Sequence, residues 1–337
     1  MATWSTTGPR IFLAVSAAWG LLACNQGKPA QPPPAPAPAP ETGSGTPVAF
    51  DLLDLPAETR VVIDARVPVL AASPVARRII DVALSQDAPS RARLGALLAR
   101  CRIDLARDVA GLTLAMKDAG EVALIGLGRF DEPALIECIR AEAGDLDEAR
   151  SGSHVLHGTR GASPVWLTIG QGRVIAATSR AWLETVLAPG ETLRARPEMK
   201  ELIARADRGA ALWGVGLMPP SAGERMVQLT DGEVKAPARA VSFQIDVGRD
   251  VPLAAQLRLE MADAADATKL AGFAGGQLGV LTIAAQRYGL GRLLAKTQIA
   301  AEGNGMIVSL RLDGDDVRLL DETLASRQAE EKKEQGR

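Results

Sequence analysis

The chain has 337 residues, of which 47% are apolar, so it is long enough to bury a sizeable core in one large or two modest domains. Lysine and arginine number 38 against 40 acidic residues, and this balance excludes the basic footprint that nucleic-acid binding requires. Aromatic residues make up only 3%, with a single tyrosine, which excludes extended stacking platforms for bases or sugars.

Residues 1–23 have the organisation of an export signal. Arg10 lies in a short polar region, residues 11–22 are largely apolar, and the small Ala23 precedes the expected cleavage point. The apolar stretch is too short to cross a bilayer as a helix, which takes about 20 residues. It therefore predicts a cleaved signal and not a permanent membrane span.

The residues that end this stretch, Leu21, Leu22, Ala23 and Cys24, resemble the bacterial lipobox, in which a signal peptidase cuts before a cysteine that carries a diacylglyceryl group. The resemblance implies that the first three are recognised by the peptidase and that Cys24 is lipidated, so palmitate labels it. Asn25 is not the aspartate that commonly retains lipoproteins in the inner membrane, which implies delivery to the outer membrane. The body would face the periplasm or, alternatively, the cell surface. The other interpretation is an ordinary cleaved signal with an incidental cysteine.

Residues 24–48 predict a disordered tether. Residues 28–47 are dominated by proline, alanine, glycine, serine and threonine, a composition that favours polyproline II. At about 3.1 Å per residue this stretch reaches on the order of 60 Å. Acyl chains contribute roughly 0.8 kcal/mol per buried methylene, and two or more hold a protein stably on a membrane. The sequence thus predicts an anchored body held away from the bilayer.

Residues 49–190 are predicted to form the first half of the body, in which strand and helix patterns follow one another. Residues 60–67 alternate as a strand, and Ser73 with Pro74 starts a helix to about residue 84. Residues 91–101 have the spacing of an amphipathic helix. The later elements are a hairpin of 111–116 and 121–129, a helix from Asp131, strands at 154–159, 165–169 and 173–178, and a helix capped by Ser179.

Residues 191–327 are predicted to form the second half, after a break at Pro189 and Gly190. Residues 221–238 have no regular pattern and predict a loop or lid. The other elements are a helix from Pro197 to about 207, a strand at 210–217, a hairpin of 241–247 and 253–261, a helix at 264–287, a short helix to 295, a hairpin of 297–302 and 306–312, and a last helix capped by Asp315. Residues 328–337 are a charged tail.

These elements predict an α+β fold built on antiparallel sheet, with the helices packed on one face. Both halves have the order hairpin, helix, strands, helix. Asp131 and Ser179 begin the two helices of the first half, and Asp263 and Asp315 those of the second. The shared order suggests a degenerate duplication of a ββαββα unit, although helix-strand alternation alone can imitate one.

A second resemblance lies in the body. Leu-Pro-Ala-Glu at 55–58 leads into Val-Val-Ile-Asp-Ala at 61–65, and Ile-Asp-Leu at 103–105 with Asp-Val at 108–109 precedes a hairpin. This loose pattern resembles exported bacterial proteins of the domain-of-unknown-function 3352 group. The resemblance implies an exported body and carries no assigned active site.

The sequence offers little catalytic or metal-binding chemistry. His154 and His157 are the only histidines, and residues three apart on a strand point to opposite faces, so one ion could not bind both. Asp313, Asp315 and Asp316 resemble part of a calcium loop that lacks its final acid, which favours helix capping. No serine-nucleophile elbow, Walker motif or complete dinucleotide loop occurs. We therefore expect no cofactor, no metal and no enzyme.

Two features leave alternatives open. Cys101 and Cys138 lie on predicted helices, where they form either a disulfide that stabilises by roughly 3–4 kcal/mol or two buried thiols in apolar stripes. Residues 270–285 contain Gly272, Gly275, Gly276 and Gly279. This spacing predicts a helix packed tightly on the sheet, in preference to a face that contacts lipid or a membrane.

Together these observations predict a non-catalytic lipoprotein, anchored in the outer membrane, that binds an envelope protein partner or supports the envelope. The alternative is a carrier whose sheet and glycine-rich helix enclose an apolar ligand or lipid, which a cavity of several hundred Å3 would favour. A third function, an envelope hydrolase, requires polar side chains that converge in a cleft.

Overall fold

The structure, a computed structural model, describes residues 50–85, 95, 98–117, 120–160, 164–230, 232–248, 252–287, 289–320 and 322–323. The signal, the lipobox residues Leu21, Leu22, Ala23 and Cys24, the tether and the tail at 328–337 lie outside the described residues, as does most of the helix predicted at 91–101. The chain divides into two compact units. Unit 1 is Met1–Thr59 with Ile79–Ala195, and unit 2 is Arg60–Arg78 with Arg196–Arg337.

The regular elements follow one another along both units. The strands are β1 (Thr59–Ala65), β2 (Val109–Lys117), β3 (Val122–Gly128), β4 (Leu146–Ser151), β5 (His154–Thr159), β6 (Trp166–Gly170), β7 (Arg173–Ala177), β8 (Leu212–Leu217), β9 (Ala240–Asp246), β10 (Leu253–Glu260), β11 (Thr297–Glu302) and β12 (Gly305–Leu312). The α-helices are α1 (Val67–Ala72), α2 (Pro74–Ser85), α3 (Leu105–Asp108), α4 (Glu132–Ala143), α5 (Arg180–Leu187), α6 (Pro197–Arg205), α7 (Pro220–Leu229), α8 (Ala264–Gln286) and α9 (Gly291–Leu294). Residues 314–320 are also helical.

Unit 1 is built on antiparallel strands in the order β2-β3-β7-β6-β5-β4. Helix α5 packs on this sheet through Trp182, Leu183 and Val186, which are buried beside β3, β6 and β7. The Ser179 hydroxyl accepts a hydrogen bond from the Trp182 backbone N–H at 3.1 Å and so begins the helix where the sequence predicts it. Similarly, the Asp131 carboxylate accepts from the Ala134 N–H at the start of α4.

The edge strand β4 of unit 1 was not predicted from the sequence. Its residues Leu-Asp-Glu-Ala-Arg-Ser lack the alternation of a half-buried strand, and it pairs with β5 alone. Charged side chains on an edge strand oppose pairing with other chains. The polar composition of β4 therefore suits an edge strand, and it is also the reason why the sequence pattern does not predict a strand here.

Unit 2 has antiparallel strands in the order β11-β12-β10-β9-β8-β1. Strand β1 pairs with β8, Val61 lying opposite Gly216, so residues 60–78 belong to this unit and not to the half at 49–190 expected from the sequence. The second part of the unit begins at Arg196, close to the expected break. A pairing between segments this distant in the chain leaves no local signal in the sequence.

The predicted α+β class is confirmed, and in unit 2 the helices lie on both faces of the strands. Helix α6 covers the polar side, where Arg205 Nη1 lies 2.6 Å from Glu260 Oε1. Helix α8 covers the opposite, apolar side, beside β11 and β12. Helix α6 packs beside β8 through Met199, Leu202 and Ile203, which are buried.

Two local predictions are corrected. Residues 221–238, predicted as a loop or lid, contain most of α7, which Pro219 and Pro220 begin in the way prolines commonly start a helix. The last helix is capped by Asp313 and not by Asp315, since the Asp313 Oδ1 accepts from the backbone N–H groups of Asp315 and Asp316 at 3.0 Å each. An aspartate two residues earlier reaches the free N–H groups better than one inside the first turn.

Candidate ligand-binding groove

The floor of the groove is the apolar side of the unit 2 strands. Alternation along β10 places Leu257 and Leu259 on one side and Gln256 and Arg258 on the other. The register sets Val308 of β12 opposite Leu257. The same register places Ile299 of β11 opposite Val308, so these apolar side chains share one face. Leu257 remains 36% exposed, which shows that the helices cover this face incompletely.

Four methionines belong to the core cluster beside the groove, and one of them, Met226, also lines the groove. Met261 and Met306 are buried with Val234 and Leu270, and Met218 and Met226 pack against them. The whole chain has 7 methionines, so this cluster contains more than half of them. An unbranched thioether side chain adapts to irregular shapes, and methionine is used where a surface accommodates different apolar partners.

Two aspartates fix the first turns of helix α8. The Asp263 side chain accepts from the Asp266 N–H at 2.8 Å and caps the helix. The Asp266 carboxyl is 3% exposed and accepts from the backbone N–H groups of Lys235, at 3.2 Å, and Ala236, at 2.9 Å. These hydrogen bonds hold the pKa of Asp266 below its ordinary value of 3.8, and the bond from the Lys235 N–H has the largest effect. The beginning of α8 is thereby tied to residues 232–239.

The remainder of α8 forms one wall of an open groove, and α7 contributes to the other wall. The groove has a volume of about 420 Å3. Its lining comes from α7, α8 and the strand floor: Met226, Leu229, Thr230, Leu259, Leu270, Phe273, Ala274, Gln277, Leu278, Leu281, Thr297, Ile299 and Val308.

The chemistry of this lining suits an apolar group. None of the lining residues is titratable, and the Thr230 hydroxyl donates to the carbonyl groups of Met226 and Val227 within α7. A nucleophile beside a base, or a pair of carboxyl groups, is what catalysis would require here, and the lining contains neither. The groove can therefore bind an apolar chain or side chain by removing its surface from water.

The glycines of α8 do not pack against the sheet, which corrects the tight packing expected from their spacing. A methyl group added to Gly272, Gly275, Gly276 or Gly279 would meet nothing within 4 Å. Two of the neighbouring side chains are largely exposed, Val280 at 64% and Ile283 at 68%. Among the described residues, the helix is thus covered only on the side that faces the groove.

A second, polar pocket lies on the opposite side of the same strands. It has a volume of about 380 Å3 and is lined by Arg205, Gln244, Gln256, Arg258 and Glu260 among others. Glu260 accepts from Arg205 and lies 3.7 Å from the Arg258 Nε, so its charge is matched within the pocket. This pocket is a hydrated face of the sheet with balanced charge.

A cluster of charges joins α9 to the last helix. Lys296 Nζ lies 2.7 Å from Asp313 and also contacts Asp316, which is fully buried, and Arg292 Nε is 3.4 Å from Asp316. The hydrogen bond from Lys296 lowers the pKa of Asp313 well below its usual range, and the bond to Asp313 raises the pKa of Lys296. The acidic residues that resemble a calcium loop are therefore held by cationic side chains and helix N–H groups.

The two histidines have different surroundings, because residues three apart on a strand point to opposite faces. His154 is exposed, whereas His157 is 7% exposed with its Nδ1 3.7 Å from Glu148 Oε1. Among the described residues, no group of three or more histidine, cysteine, aspartate or glutamate side chains could hold a metal ion. Over the same part of the chain, none of the helices combines the length and the apolar character needed to cross a membrane.

The structure joins Cys101 to Cys138 in a disulfide, with the two Cα atoms 5.4 Å apart. Of the two alternatives that the sequence left open, the structure therefore contains the bridge. It connects the segment after α2 to helix α4 within unit 1. The groove lining belongs to unit 2.

Comparison with known proteins gives a limited likeness. No protein-family model matches the sequence, and no curated protein matches it. A solved structure, crystal form III of TP0453, is 12% identical with a TM-score of 0.49, over 82% of this chain and 99% of that chain. Crystal form I of the same protein gives 12% identity and a TM-score of 0.46, over 83% and 98%. At these values the likeness carries no inference about function.

Proposed function

We propose that this protein is a lipid-anchored, non-catalytic binding protein of the bacterial envelope, and that its binding site is the apolar groove of unit 2. The observation that carries the proposal is the groove of about 420 Å3 whose lining residues include no titratable side chain. Sites of this size and polarity bind apolar groups. The anchor is supported by the lipobox at Leu21, Leu22, Ala23 and Cys24, and the outer membrane by Asn25.

A second candidate function is a carrier of an apolar ligand or lipid. The specific observation in its favour is that the sheet and the glycine-rich helix α8 together form a groove of several hundred Å3. The flexible side chain of Met226 in its lining suits ligands of variable shape. The two functions differ in the occupant, which is an apolar segment of an envelope protein in the first case and a small apolar molecule in the second.

The anchor is tested by labelling cells with radioactive palmitate and separating their membranes. We expect the label on the wild-type chain and its complete loss in Cys24→Ala, with the variant released from the outer-membrane fraction. Cys101 and Cys138 remain in that variant, so they control for acylation at another cysteine. Retention of both the label and the localisation by Cys24→Ala would refute the anchor.

The groove is tested with the fluorescent apolar probe N-phenyl-1-naphthylamine. Ala274→Phe fills part of the groove, because Ala274 belongs to its lining, and should weaken probe binding at least about tenfold. Ala284→Phe makes the same change at an exposed position of α8 outside the lining, and it should leave the affinity unchanged. Equal affinities for the two variants would show that the probe binds elsewhere.

The occupant is tested by placing a photo-crosslinking amino acid at Leu281, which lines the groove and is 58% exposed. Irradiation of intact cells followed by mass spectrometry should give an adduct with an envelope protein under the first function. An adduct with a lipid or another small apolar molecule would instead support the carrier. The same amino acid at Ala284 provides the background.

A further inference from the structure

Helix α8 has a second apolar face, which points away from the groove. Val280 and Ile283 are 64% and 68% exposed, and Gly276 and Gly279 lie three or four residues from them, on the same side of the helix. The centre of the groove lining on α8, formed by Leu270, Ala274 and Leu281, has the opposite orientation, and Phe273, seven residues before Val280, lies at the border between the two faces. We call the side that bears Gly272, Gly276, Gly279, Val280 and Ile283 the outward face.

An uncovered outward face of this composition is unusual for a helix in water. A helix that is apolar on all sides is normally buried in a core or in lipid, whereas the part of the chain that the structure describes covers α8 on one side only. Leu281 and Leu229, 58% and 71% exposed, extend the apolar surface at the mouth of the groove. Exposed apolar patches rimmed by polar residues mark interaction surfaces.

The charges at the rim of this face indicate its occupant. No charged residue occurs between Lys269 and Arg287, and both of these are exposed. They lie about five helical turns apart, on the same side as the outward face. Lys269 Nζ also lies 3.6 Å from Asp266, whose carboxyl is buried beneath it. The charge of Lys269 is thus partly matched by Asp266, and Arg287 is the stronger basic end of the rim. An occupant that is apolar at its centre and negative at its margin complements this face.

A second copy of the chain fits this pattern poorly. If two α8 helices packed in parallel, each cation would face its own equivalent. If they packed antiparallel about Leu278, Lys269 would face Arg287 of the other copy. Both arrangements place like charges together, which is destabilising. An anionic bilayer offers the complement, since its acyl region receives apolar side chains and its phosphates attract basic ones.

We propose that the outward face of α8 lies in the interface of an anionic lipid bilayer. Residues 24–49, which connect Cys24 to the described body, reach at most about 80 Å as polyproline II, so an anchored body is spaced from the membrane but remains within that distance of it. Only this proximity argument rests on the proposed anchor. The contact itself is a property of α8 and is independent of what occupies the groove.

Flotation with vesicles tests the proposal without the anchor. The protein is the mature chain from residue 24 with Cys24→Ala, and the vesicles contain phosphatidylglycerol and phosphatidylethanolamine, or phosphatidylcholine alone. We expect flotation with the anionic vesicles and at least tenfold weaker partition to the neutral ones. Val280→Asp with Ile283→Asp should weaken partition by on the order of tenfold or more. The matched control is Val155→Asp with Val165→Asp, at exposed positions of unit 1, and it should leave the partition unchanged.

The rim is tested separately from the apolar centre. Lys269→Gln with Arg287→Gln should weaken binding to anionic vesicles and reduce its dependence on salt. Lys200→Gln with Arg208→Gln removes the same charge from other exposed positions of unit 2 and should have little effect. Ile283→Trp keeps the face apolar, and the emission that it adds to that of Trp166, Trp182 and Trp213 should shift to shorter wavelength only with anionic vesicles.

The outcomes separate this contact from the groove. Probe binding in the groove should survive Val280→Asp with Ile283→Asp, which also confirms that this variant is folded. Equal flotation of this variant and its control, or an unshifted Ile283→Trp spectrum, would overturn the proposal. So would a concentration-dependent dimer, measured by sedimentation, that the aspartate substitutions abolish, because the occupant would then be a second copy.

Discussion

At the scale of single residues, Asp266 decides how helix α8 begins. Its carboxyl is 3% exposed and accepts two backbone N–H groups, from Lys235 and Ala236. A carboxylate that accepts such bonds has a lowered pKa because the bonds favour its charged form, and the pKa of Asp266 is lowered for this reason. The ionised form therefore holds both α8 and residues 232–239 in place.

Asp266→Asn should destabilise unit 2 at neutral pH. A lowered pKa in the folded state adds stability above the ordinary value of 3.8, and this stability is lost as the pH falls through the folded value. The melting temperature of the variant should therefore lie several degrees below that of the wild type at pH 7, and the difference should shrink below about pH 4. Melting curves from pH 3 to 7 measure it. Asp315→Asn, which removes the same charge at an exposed carboxyl, is the control and should change the melting temperature little at pH 7.

The sequence predicts some of these residue roles and not others, depending on the distance to the partner. The sequence predicts Asp131, Ser179 and Asp263 as caps because each is a capping residue directly before a helical pattern. In the structure each side chain accepts a hydrogen bond from the N–H group three residues ahead. The role of Asp266 could not be predicted, since its partners lie about 30 residues earlier, in a stretch without a regular pattern. Hydrogen bonds between residues close in the chain can be predicted from the local sequence, whereas those between distant residues cannot.

At the scale of elements, the glycines of α8 lower its stability without any gain in packing. Gly276→Ala and Gly279→Ala should each stabilise the protein by about 0.5–1 kcal/mol, because alanine has the better helix propensity and the added methyl meets nothing within 4 Å. Urea unfolding measures the change. Gly291→Ala should destabilise, since its methyl would lie 2.7 Å from the Gln286 Cγ. Destabilisation by the α8 substitutions would mean that these glycines are in contact with something.

The elements that form the groove were predicted to different extents. Alternation in the sequence predicts β9 and β10 and identifies Leu257 and Leu259 as the apolar side of the floor. Helix α7 was missed, so the wall that carries Met226 and Leu229 was missed with it. The signal was present in the two prolines at 219 and 220, which start the helix. The sequence of α8 is apolar all round, so it does not indicate which side of the helix is covered. That depends on tertiary packing.

At the scale of the whole molecule, the two units share an order of elements over part of their length. In unit 1 the hairpin β2–β3 is followed by α4, and β7 returns to pair with β3 before α5 begins. In unit 2 the hairpin β9–β10 is followed by α8, and β12 returns to pair with β10 before the last helix. Unit 1 has the additional hairpin β4–β5. This shared order agrees with the proposed ββαββα duplication, which stays a prediction until the units are superposed.

The two units also differ in how they are stabilised, because the disulfide lies in unit 1 alone. Cys101→Ala with Cys138→Ala opens a loop with a sequence separation of 37, which should cost about 3–4 kcal/mol through the entropy of the unfolded chain. Hydrogen exchange followed by mass spectrometry should show this loss in peptides of β2 and β3. Peptides of β10 and β12, and probe binding in the groove, should remain at wild-type values. Cys24→Ala, which removes a cysteine outside the bridge, is the control, and equal losses in both units would show that they unfold as one.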